Sequence, residues 1–142
     1  MSDYQPQKHT DFDIEGIDGY LSKVKTSISQ GKYRLAMNRE KNKKFSENYN
    51  LTTKKIKNII FNLEAKDFCY AVDNEKEEYS HETLYVFCRK KGLNYFGEYK
   101  EVNIYIKFNL IERNDYLYII SFHELEKSIT FLFENKKGGG EK

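Results

Sequence analysis

The stretch VNIYIKFNLIERNDYLYIISFHE, residues 102–124, predicts a β-hairpin. Over residues 102–111, apolar side chains alternate with polar or aromatic ones, which is the period of a strand with one buried face. Residues 112–115, ERND, interrupt this alternation and favour a turn, because Asn and Asp side chains bond to their own backbone. A second alternating run over residues 116–123 then predicts the returning strand.

The alternation also assigns the two faces of this hairpin. We expect the inward face of the first strand to carry Val102, Ile104, Ile106, Phe108 and Leu110. In the second strand, one face is predicted to carry Tyr118, Ile120 and Phe122. Its other face then carries Ile119, Ser121 and His123. Polar groups such as Lys107 and His123 are therefore either a functional site or a solvated surface.

Composition limits the class of protein but does not name a partner. The chain has 142 residues with 39% hydrophobic residues, which suits one domain with a modest core. The aromatic content of 15% favours strands, and the formal net charge is only +2. Charge is distributed unevenly, because residues 32–57 are basic and residues 64–82 are acidic. The basic segment suits a polyanion such as RNA, and solvated helix faces would give the same pattern.

Cysteine usage and hydropathy predict a soluble cytoplasmic protein. Cys69 and Cys88 lack the CxxC spacing of a zinc or redox motif, so we expect reduced, packed thiols. The chain shows no apolar run typical of a signal peptide and no stretch of about 18 apolar residues for a membrane helix. We therefore expect no membrane partner.

The remaining chain predicts helices first and strands afterwards. Before the hairpin we expect a flexible arm (1–15), a helix (18–29), a strand (32–38), a helix (39–48), a helix capped by Thr52 or Thr53, and strands at 68–72 and 83–91. A glycine-bounded connection (92–100) leads into the hairpin, and a strand (128–133) and a disordered tail (136–142) follow it. This order predicts a single α+β domain over residues 16–135. Its antiparallel twisted sheet is expected to carry helices on one face and to leave the other partly uncovered.

The predicted strands bring together residue types that nucleic-acid chemistry uses. Binding and cleaving RNA requires cations for phosphate, aromatic rings for bases and a group that transfers protons. The candidates for charge are Lys107, Arg89 and His123, and the candidates for stacking are Tyr105 and Tyr85. His123 is the best single candidate, since an imidazole titrates near neutral pH. No paired carboxylates or histidine cluster indicate a metal site, so we expect no metal or cofactor.

Simpler interpretations of the same residues stay open at this point. A histidine at a strand end is often an ordinary hydrogen-bonded surface residue, and strand tyrosines often only pack across the sheet. Two other function classes also fit the pattern. One is a non-catalytic RNA-binding module, and the other is a protein-interaction domain that pairs through an exposed strand edge.

An ordered set of motifs resembles one family. The set comprises REKNKKF, YNLT, KIKNIIFNLEAKDF, ETLYVFCRK, VNIYIKFNL, YIISFHE and FLF, between residues 31 and 133. In this order the motifs resemble MqsR-type toxins of type II toxin–antitoxin systems. The resemblance implies a RelE-like fold and a metal-independent mRNA endoribonuclease, or mRNA interferase. It also implies mRNA as substrate, a cognate antitoxin protein as partner and the ribosome as a further candidate partner.

The resemblance assigns roles to individual residues. The family's Tyr-x-Lys matches Tyr105 and Lys107, and its Ser-Phe-basic sequence matches 121–123 with a histidine at the basic position. Two departures concern residues 67–70, which lack the lysine of some members, and 85–86, which replace a Trp-Gln pair. The resulting catalytic candidates are His123, Lys107, Tyr105 and Arg89. The substrate-binding candidates are Tyr70, His81, Tyr85 and Ser121.

Overall fold

The structure, a computed structural model, describes residues 3–134 of the chain, which contain three α-helices and six β-strands. They are β1 (Lys8–His9), α1 (Ile14–Ser29), β2 (Tyr33–Leu35), α2 (Glu40–Asn48), α3 (Thr53–Phe61), β3 (Phe68–Asp73), β4 (Thr83–Tyr95), β5 (Glu98–Ile111) and β6 (Tyr116–Glu124). In this part of the chain, no helix combines the length and apolar character that crossing a bilayer requires.

The strands form one six-stranded sheet in the order β1-β3-β4-β5-β6-β2. This confirms the predicted α+β class. The sheet is mixed, however, because β2 runs parallel to β6 while every other neighbouring pair is antiparallel. The prediction of a purely antiparallel sheet is therefore wrong at β2. Alternation shows which side chains share a face, but it carries no information about strand direction.

The main core lies between one face of the sheet and the helices. Its members include Ile17, Leu21 and Val24 of α1, Phe45 of α2, Ile56 and Ile60 of α3, and Phe87, Ile104, Ile106 and Phe108 of the central strands. The predicted cap of α3 is confirmed, since the Thr52 side chain accepts a hydrogen bond from the Lys55 amide at 3.2 Å. The helices therefore stabilise one face and leave the opposite face, called the open face below, for other contacts.

Two parts of the flexible arm that was predicted over residues 1–15 belong to regular elements in the described chain, β1 and the start of α1. Lys8 and His9 pair antiparallel with Val72 and Ala71, which adds an edge strand to the sheet. Helix α1 begins four residues before Asp18, because Asp13 caps it by accepting a hydrogen bond from the Gly16 amide at 2.7 Å. The predicted tail at residues 136–142 lies outside the described residues.

The predicted connection at 92–100 is part of a long hairpin instead. Strands β4 and β5 stay paired to Tyr95 and Glu98, with only Phe96 and Gly97 between them. Both of these residues have positive φ, 50° and 96°, which is the geometry of a two-residue hairpin turn whose twist matches the strands. The tip of this ribbon exposes the side chains of Phe96 and Tyr99.

A bulge in β6 changes which of its residues point inward. The register passes from the pair Lys107 and Ser121 to the pair Phe108 and Ile119, so that Ile120 is an extra residue. Ile119 is buried in the core, whereas Tyr118 is 41% exposed. The prediction that Tyr118 and Ile120 share one face with Phe122 is therefore wrong. Beyond the bulge the predicted parity holds, since Phe122 faces the core and leaves Ser121 and His123 on the open face.

The side chain of Asn42 in α2 holds the bulged strand in place. Its amide nitrogen donates to the carbonyls of Ala36 and Ile120, each at 2.9 Å. Its amide oxygen accepts a hydrogen bond from the Phe122 amide at 2.9 Å. Asn42 therefore continues the pairing of the β6 edge where β2 ends, and it does so on both sides of Ser121.

Asn42→Ala is expected to lower the free energy of unfolding by about 2–4 kcal/mol, because backbone groups of three residues lose their partner and each unsatisfied buried group costs about 1–3 kcal/mol. Urea denaturation measures this loss. The matched control is Asn58→Ala, at an exposed position of α3, where a change within about 0.5 kcal/mol is expected. Equal stability of the two variants would contradict the bracing role of Asn42.

Residues 125–134, called the crossing segment below, replace the strand that was predicted at 128–133. The segment is irregular but anchored, because the Leu125 amide donates to the Asn103 carbonyl at 2.8 Å and the Leu132 amide to the Phe68 carbonyl at 3.0 Å. Leu125, Ile129 and Phe131 pack over a small apolar cluster on the open face, formed by Cys69, Val86 and Cys88. The alternating apolar residues that suggested a strand thus cover part of the sheet.

Candidate functional site

A cavity of about 910 Å³ lies on the open face between the sheet, the beginning of α2 and the crossing segment. Five of the residues that the sequence predicted as site residues line it, namely Tyr70, Tyr105, Lys107, Ser121 and His123. The pairing of β5 with β6 explains why four of them meet. Tyr105 lies opposite His123 and Lys107 lies opposite Ser121, so they form two adjacent rows on the same face.

The imidazole of His123 has a defined neighbour on each side. Its ring stacks near that of Tyr105, with centroids 5.3 Å apart and planes inclined by 28°. Its Nδ1 lies 3.0 Å from the carbonyl oxygen of Glu124. Because a carbonyl can only accept, Nδ1 carries the hydrogen, and the neutral ring has its lone pair on Nε2. This inferred tautomer leaves Nε2 available as a proton acceptor.

Lys107 supplies a cation that forms no ion pair with a carboxylate of the described residues. Burial and, second, the Arg39 guanidinium lower the pKa of Lys107 below that of an ordinary lysine, and the more weakly acting Glu75 opposes this shift. No ion pair or hydrogen bond to the Lys107 ammonium is present among residues 3–134. A half-buried, unpaired ammonium is costly for the folded protein, and an anionic ligand would offset that cost.

Two tyrosines complete the wall of the cavity beside the cation. Burial and, second, the neighbouring Tyr70 phenol raise the pKa of Tyr105 above that of an ordinary tyrosine. Tyr105 therefore keeps its proton at neutral pH and can donate it in a hydrogen bond. The Lys8 ammonium lies 4.3 Å from the centre of the Tyr70 ring, which is a cation–π distance. The rings offer planar surfaces and the amines offer positive charge to one ligand.

The cavity also contains basic residues that the sequence did not single out. Arg39, Lys41 and Lys8 reach it from the start of α2 and from β1. The basic segment 32–57 was a signal for the first two, although it did not show which of its cations face the site. Lys41 donates to Glu126 at 2.7 Å, and that hydrogen bond lowers the pKa of the Glu126 carboxyl. Lys8 had no signal, since its segment was expected to be a flexible arm.

Arg89, a predicted catalytic residue, lies outside the cavity. Its neighbour on β5 is Ile104, a core residue, so its side chain projects from the helix-covered face. There its guanidinium donates to a carboxylate oxygen of Asp67 at 2.9 Å, with exposed side-chain fractions of 26% and 10%. The same oxygen accepts the Glu64 amide at 2.9 Å. The geometry corrects the catalytic assignment and gives Arg89 a structural contact instead.

Arg89→Met is expected to lower the free energy of unfolding by about 1.5–3 kcal/mol, because the charged hydrogen bond to the mostly buried Asp67 is lost. Urea denaturation measures this loss. The control is Arg113→Met in the exposed turn, where a change within about 0.5 kcal/mol is expected. A loss in Arg89→Met no larger than in this control would count against a stabilising contact with Asp67.

Tyr85 and His81, both predicted substrate contacts, also lie outside the cavity. The Tyr85 ring stacks on Tyr20 of α1 with centroids 3.7 Å apart and planes inclined by 11°. It therefore belongs to the core packing on the helix side. His81 is exposed in the turn before β4 and is not part of the cavity wall. Neither residue is kept as a site residue.

The two cysteines are buried free thiols beneath the crossing segment, which confirms the prediction of packed thiols. Burial raises the pKa of Cys69 to about 12 and that of Cys88 to about 11. Since the thiolate is the reactive form, both are poor nucleophiles near neutral pH. Within residues 3–134, no group of three or more His, Cys, Asp or Glu side chains is placed to hold a metal ion.

Comparison of the chain with protein-family models, with curated proteins and with solved structures yields no match. The chemical arrangement of the cavity is therefore the principal guide to function. On one wall it combines Nε2 of His123, the protonated phenol of Tyr105 and the Lys107 ammonium, which has no ion-pair partner among residues 3–134.

Proposed function

We propose that this protein is an endoribonuclease that cleaves single-stranded mRNA without a metal cofactor. The observation that carries the proposal is the convergence of His123, Lys107 and Tyr105 in one cavity through the register of two paired strands. The three groups supply a proton acceptor, a positive charge and a proton donor. These are the functions that transfer of a phosphodiester to a neighbouring hydroxyl requires.

The proposed reaction uses the substrate's own 2′-hydroxyl. His123 Nε2 takes the hydroxyl proton while the 2′-oxygen forms a bond to the adjacent phosphorus. The bond between phosphorus and the 5′-oxygen breaks, and this oxygen receives a proton from the Tyr105 phenol. Lys107 stabilises the charge on the non-bridging oxygens in the transition state. The products are a 2′,3′-cyclic phosphate and a 5′-hydroxyl, and proton exchange with water restores the two side chains.

The biological role we propose is that of a toxin in a type II toxin–antitoxin system, with a RelE-like ribonuclease domain. The resemblance to MqsR-type toxins, carried by the ordered motifs between residues 31 and 133, supports this role. Cleavage of mRNA in the cytoplasm would inhibit translation and growth, and a cognate antitoxin would suppress it. Expression of the chain should therefore arrest growth, and co-expression of a neighbouring gene product should relieve the arrest.

Incubation of the purified chain with a single-stranded RNA in excess EDTA tests the activity. We expect discrete cleavage positions by primer extension and products that end in a 2′,3′-cyclic phosphate. The His123→Ala protein, purified in parallel, controls for contaminating ribonucleases. RNA that is bound but stays intact would favour a non-catalytic RNA-binding module. A protein without measurable RNA affinity would leave the interaction-domain alternative.

A further inference from the structure

The N-terminus of helix α2 opens into the cavity without a side-chain cap. Arg39 occupies the capping position, and its side chain makes no capping hydrogen bond. The first amides of a helix have no acceptor within the helix, and they carry the positive end of its dipole. Arg39, Glu40 and Lys41 all line the cavity. The helix therefore presents free donors and positive potential to this space.

The hydroxyl of Ser121 in the cavity wall is a second and independent indication of a ligand. Ser121 is only 2% exposed, and it lines the same cavity. Its hydroxyl has no hydrogen-bond partner among the residues that the structure describes. A serine hydroxyl that reaches the cavity without a partner in the described chain can donate a hydrogen bond to a ligand there.

Hydrogen bonds fix the start of α2 next to Ser121. Asn42 in the first turn of α2 bonds to the Ile120 carbonyl and the Phe122 amide, each at 2.9 Å, and so grips β6 on both sides of Ser121. Lys107 lies opposite Ser121 in the sheet, and the Arg39 charge is close enough to lower the pKa of Lys107. The α2 amides, the Ser121 hydroxyl and the Arg39 guanidinium thus line one part of the cavity next to Lys107, and this donor set suits a phosphate oxygen.

We propose that the first turn of α2, together with Arg39 and Ser121, binds a phosphodiester of the RNA next to the scissile one. This inference rests on the proposed ribonuclease function and deepens it. Lys107, His123 and Tyr105 act on the reacting phosphate, while the α2 subsite fixes the position of the neighbouring phosphate along the strand. Arg39 and Ser121 are then binding residues that determine where the chain is cut.

Substitution of Glu40 should change phosphate affinity in the direction opposite to substitution of Arg39 or Ser121. Its carboxylate lies in the first turn of α2 and lines the cavity. In the free protein it occupies the favourable position of an anion near a helix N-terminus. A bound phosphate would meet its repulsion, so Glu40→Gln should tighten phosphate binding, whereas Arg39→Gln and Ser121→Ala should weaken it.

Titration of the full chain, ¹⁵N-labelled, with inorganic phosphate and NMR detection measures the site without requiring catalysis. We expect saturable shifts of the Glu40 and Lys41 amide signals. Arg39→Gln and Ser121→Ala should each weaken binding by about 2- to 10-fold, the value of one net hydrogen bond. Arg113→Gln, in the exposed turn, is the charge-matched control, and the same spectra report whether each variant is folded. Unmoved α2 amides, or unchanged affinity in both weakened variants, would overturn the proposal.

RNA kinetics separate this subsite from the ribonuclease proposal. With a short single-stranded RNA, Arg39→Gln should raise KM by about 2- to 10-fold and leave kcat nearly unchanged, since it removes binding common to ground and transition states. Saturable phosphate binding at α2 in a protein that cleaves no RNA would support the anion site and refute the ribonuclease. Cleavage with a wild-type KM in Arg39→Gln would overturn the subsite alone.

Discussion

His123→Ala is expected to slow cleavage of a single-stranded RNA by about 10²- to 10⁴-fold, the usual contribution of a positioned general acid or base. The expectation follows from the imidazole geometry, because Nδ1 donates to the Glu124 carbonyl and so leaves Nε2 free to accept a proton. Single-turnover measurements with saturating protein separate the chemical step from binding. The loss should appear in kcat, since the ring removes a proton in the reaction and contributes little to holding the strand.

The matched control is His81→Ala, which removes an exposed histidine outside the cavity. It should cleave RNA at the wild-type rate. Added imidazole should restore part of the activity of His123→Ala, because the truncated side chain leaves space beside Tyr105. Equal activity of His123→Ala and wild type would remove His123 from the mechanism. Loss without any rescue, together with altered folding, would indicate a structural role.

Lys107→Met should reduce cleavage by about 10²- to 10³-fold, the cost of removing one donor that stabilises transition-state charge. The variant should nevertheless be at least as stable as the wild type. Methionine fills a similar volume and carries no charge, whereas the wild-type ammonium is half-buried and has no ion-pair partner in the described chain. Activity and stability are thus expected to change in opposite directions.

The stability difference between Lys107→Met and the wild type should decrease as the pH rises. Because burial and Arg39 lower the pKa of Lys107, the unfolded chain holds this proton more tightly than the folded protein does. The wild-type penalty is therefore fully present below the lowered pKa, and it disappears as the pH rises towards 10.5, the ordinary lysine value. The excess stability of Lys107→Met should be largest near neutral pH and vanish above about 10.5.

Lys91→Met, at an exposed position of β4, is the charge-matched control for both measurements. It should leave cleavage and thermal stability close to those of the wild type. If the stability difference between Lys107→Met and the wild type does not diminish at alkaline pH, the buried charge of Lys107 is not its cause. Full cleavage activity in Lys107→Met would exclude Lys107 from the reacting phosphate.

The sequence predicted the parts of the fold that depend on one strongly buried face. Burial of one face imposes a periodic pattern of apolar residues, and this pattern predicted the first hairpin strand, the apolar stripe of α3 and the open polar face. The strand β4 does not have this simplicity. Its residues 84–88 are apolar or aromatic on both faces, because the helices cover one face and the crossing segment covers part of the other. Alternation therefore could not show that Arg89 and Tyr85 face the helices.

Two features of the candidate site depend on long-range contacts that no local pattern reports. The bulge at Ile120 sets the phase of β6, and it is stabilised by Asn42, which is distant in sequence. Arg39 reaches the cavity only because α2 starts where β2 leaves the sheet edge. The position of Lys107 and His123 on the open face could be predicted from the alternation of their own strands. The presence of Arg39, Lys41 and Lys8 in the same cavity could be seen only in the three-dimensional arrangement.

The ends of β4 and β5 form a two-stranded ribbon that extends beyond the rest of the sheet. This ribbon can open without the rest of the sheet. Strand β3 pairs with β4 only as far as Phe87, and β6 pairs with β5 only from Ile104, so the outer ribbon hydrogen-bonds mainly within itself. Its amide hydrogens can therefore exchange with solvent through a local opening that costs less than global unfolding. Such an opening starts at the Phe96–Gly97 turn and leaves the rows that carry Lys107 and His123 closed.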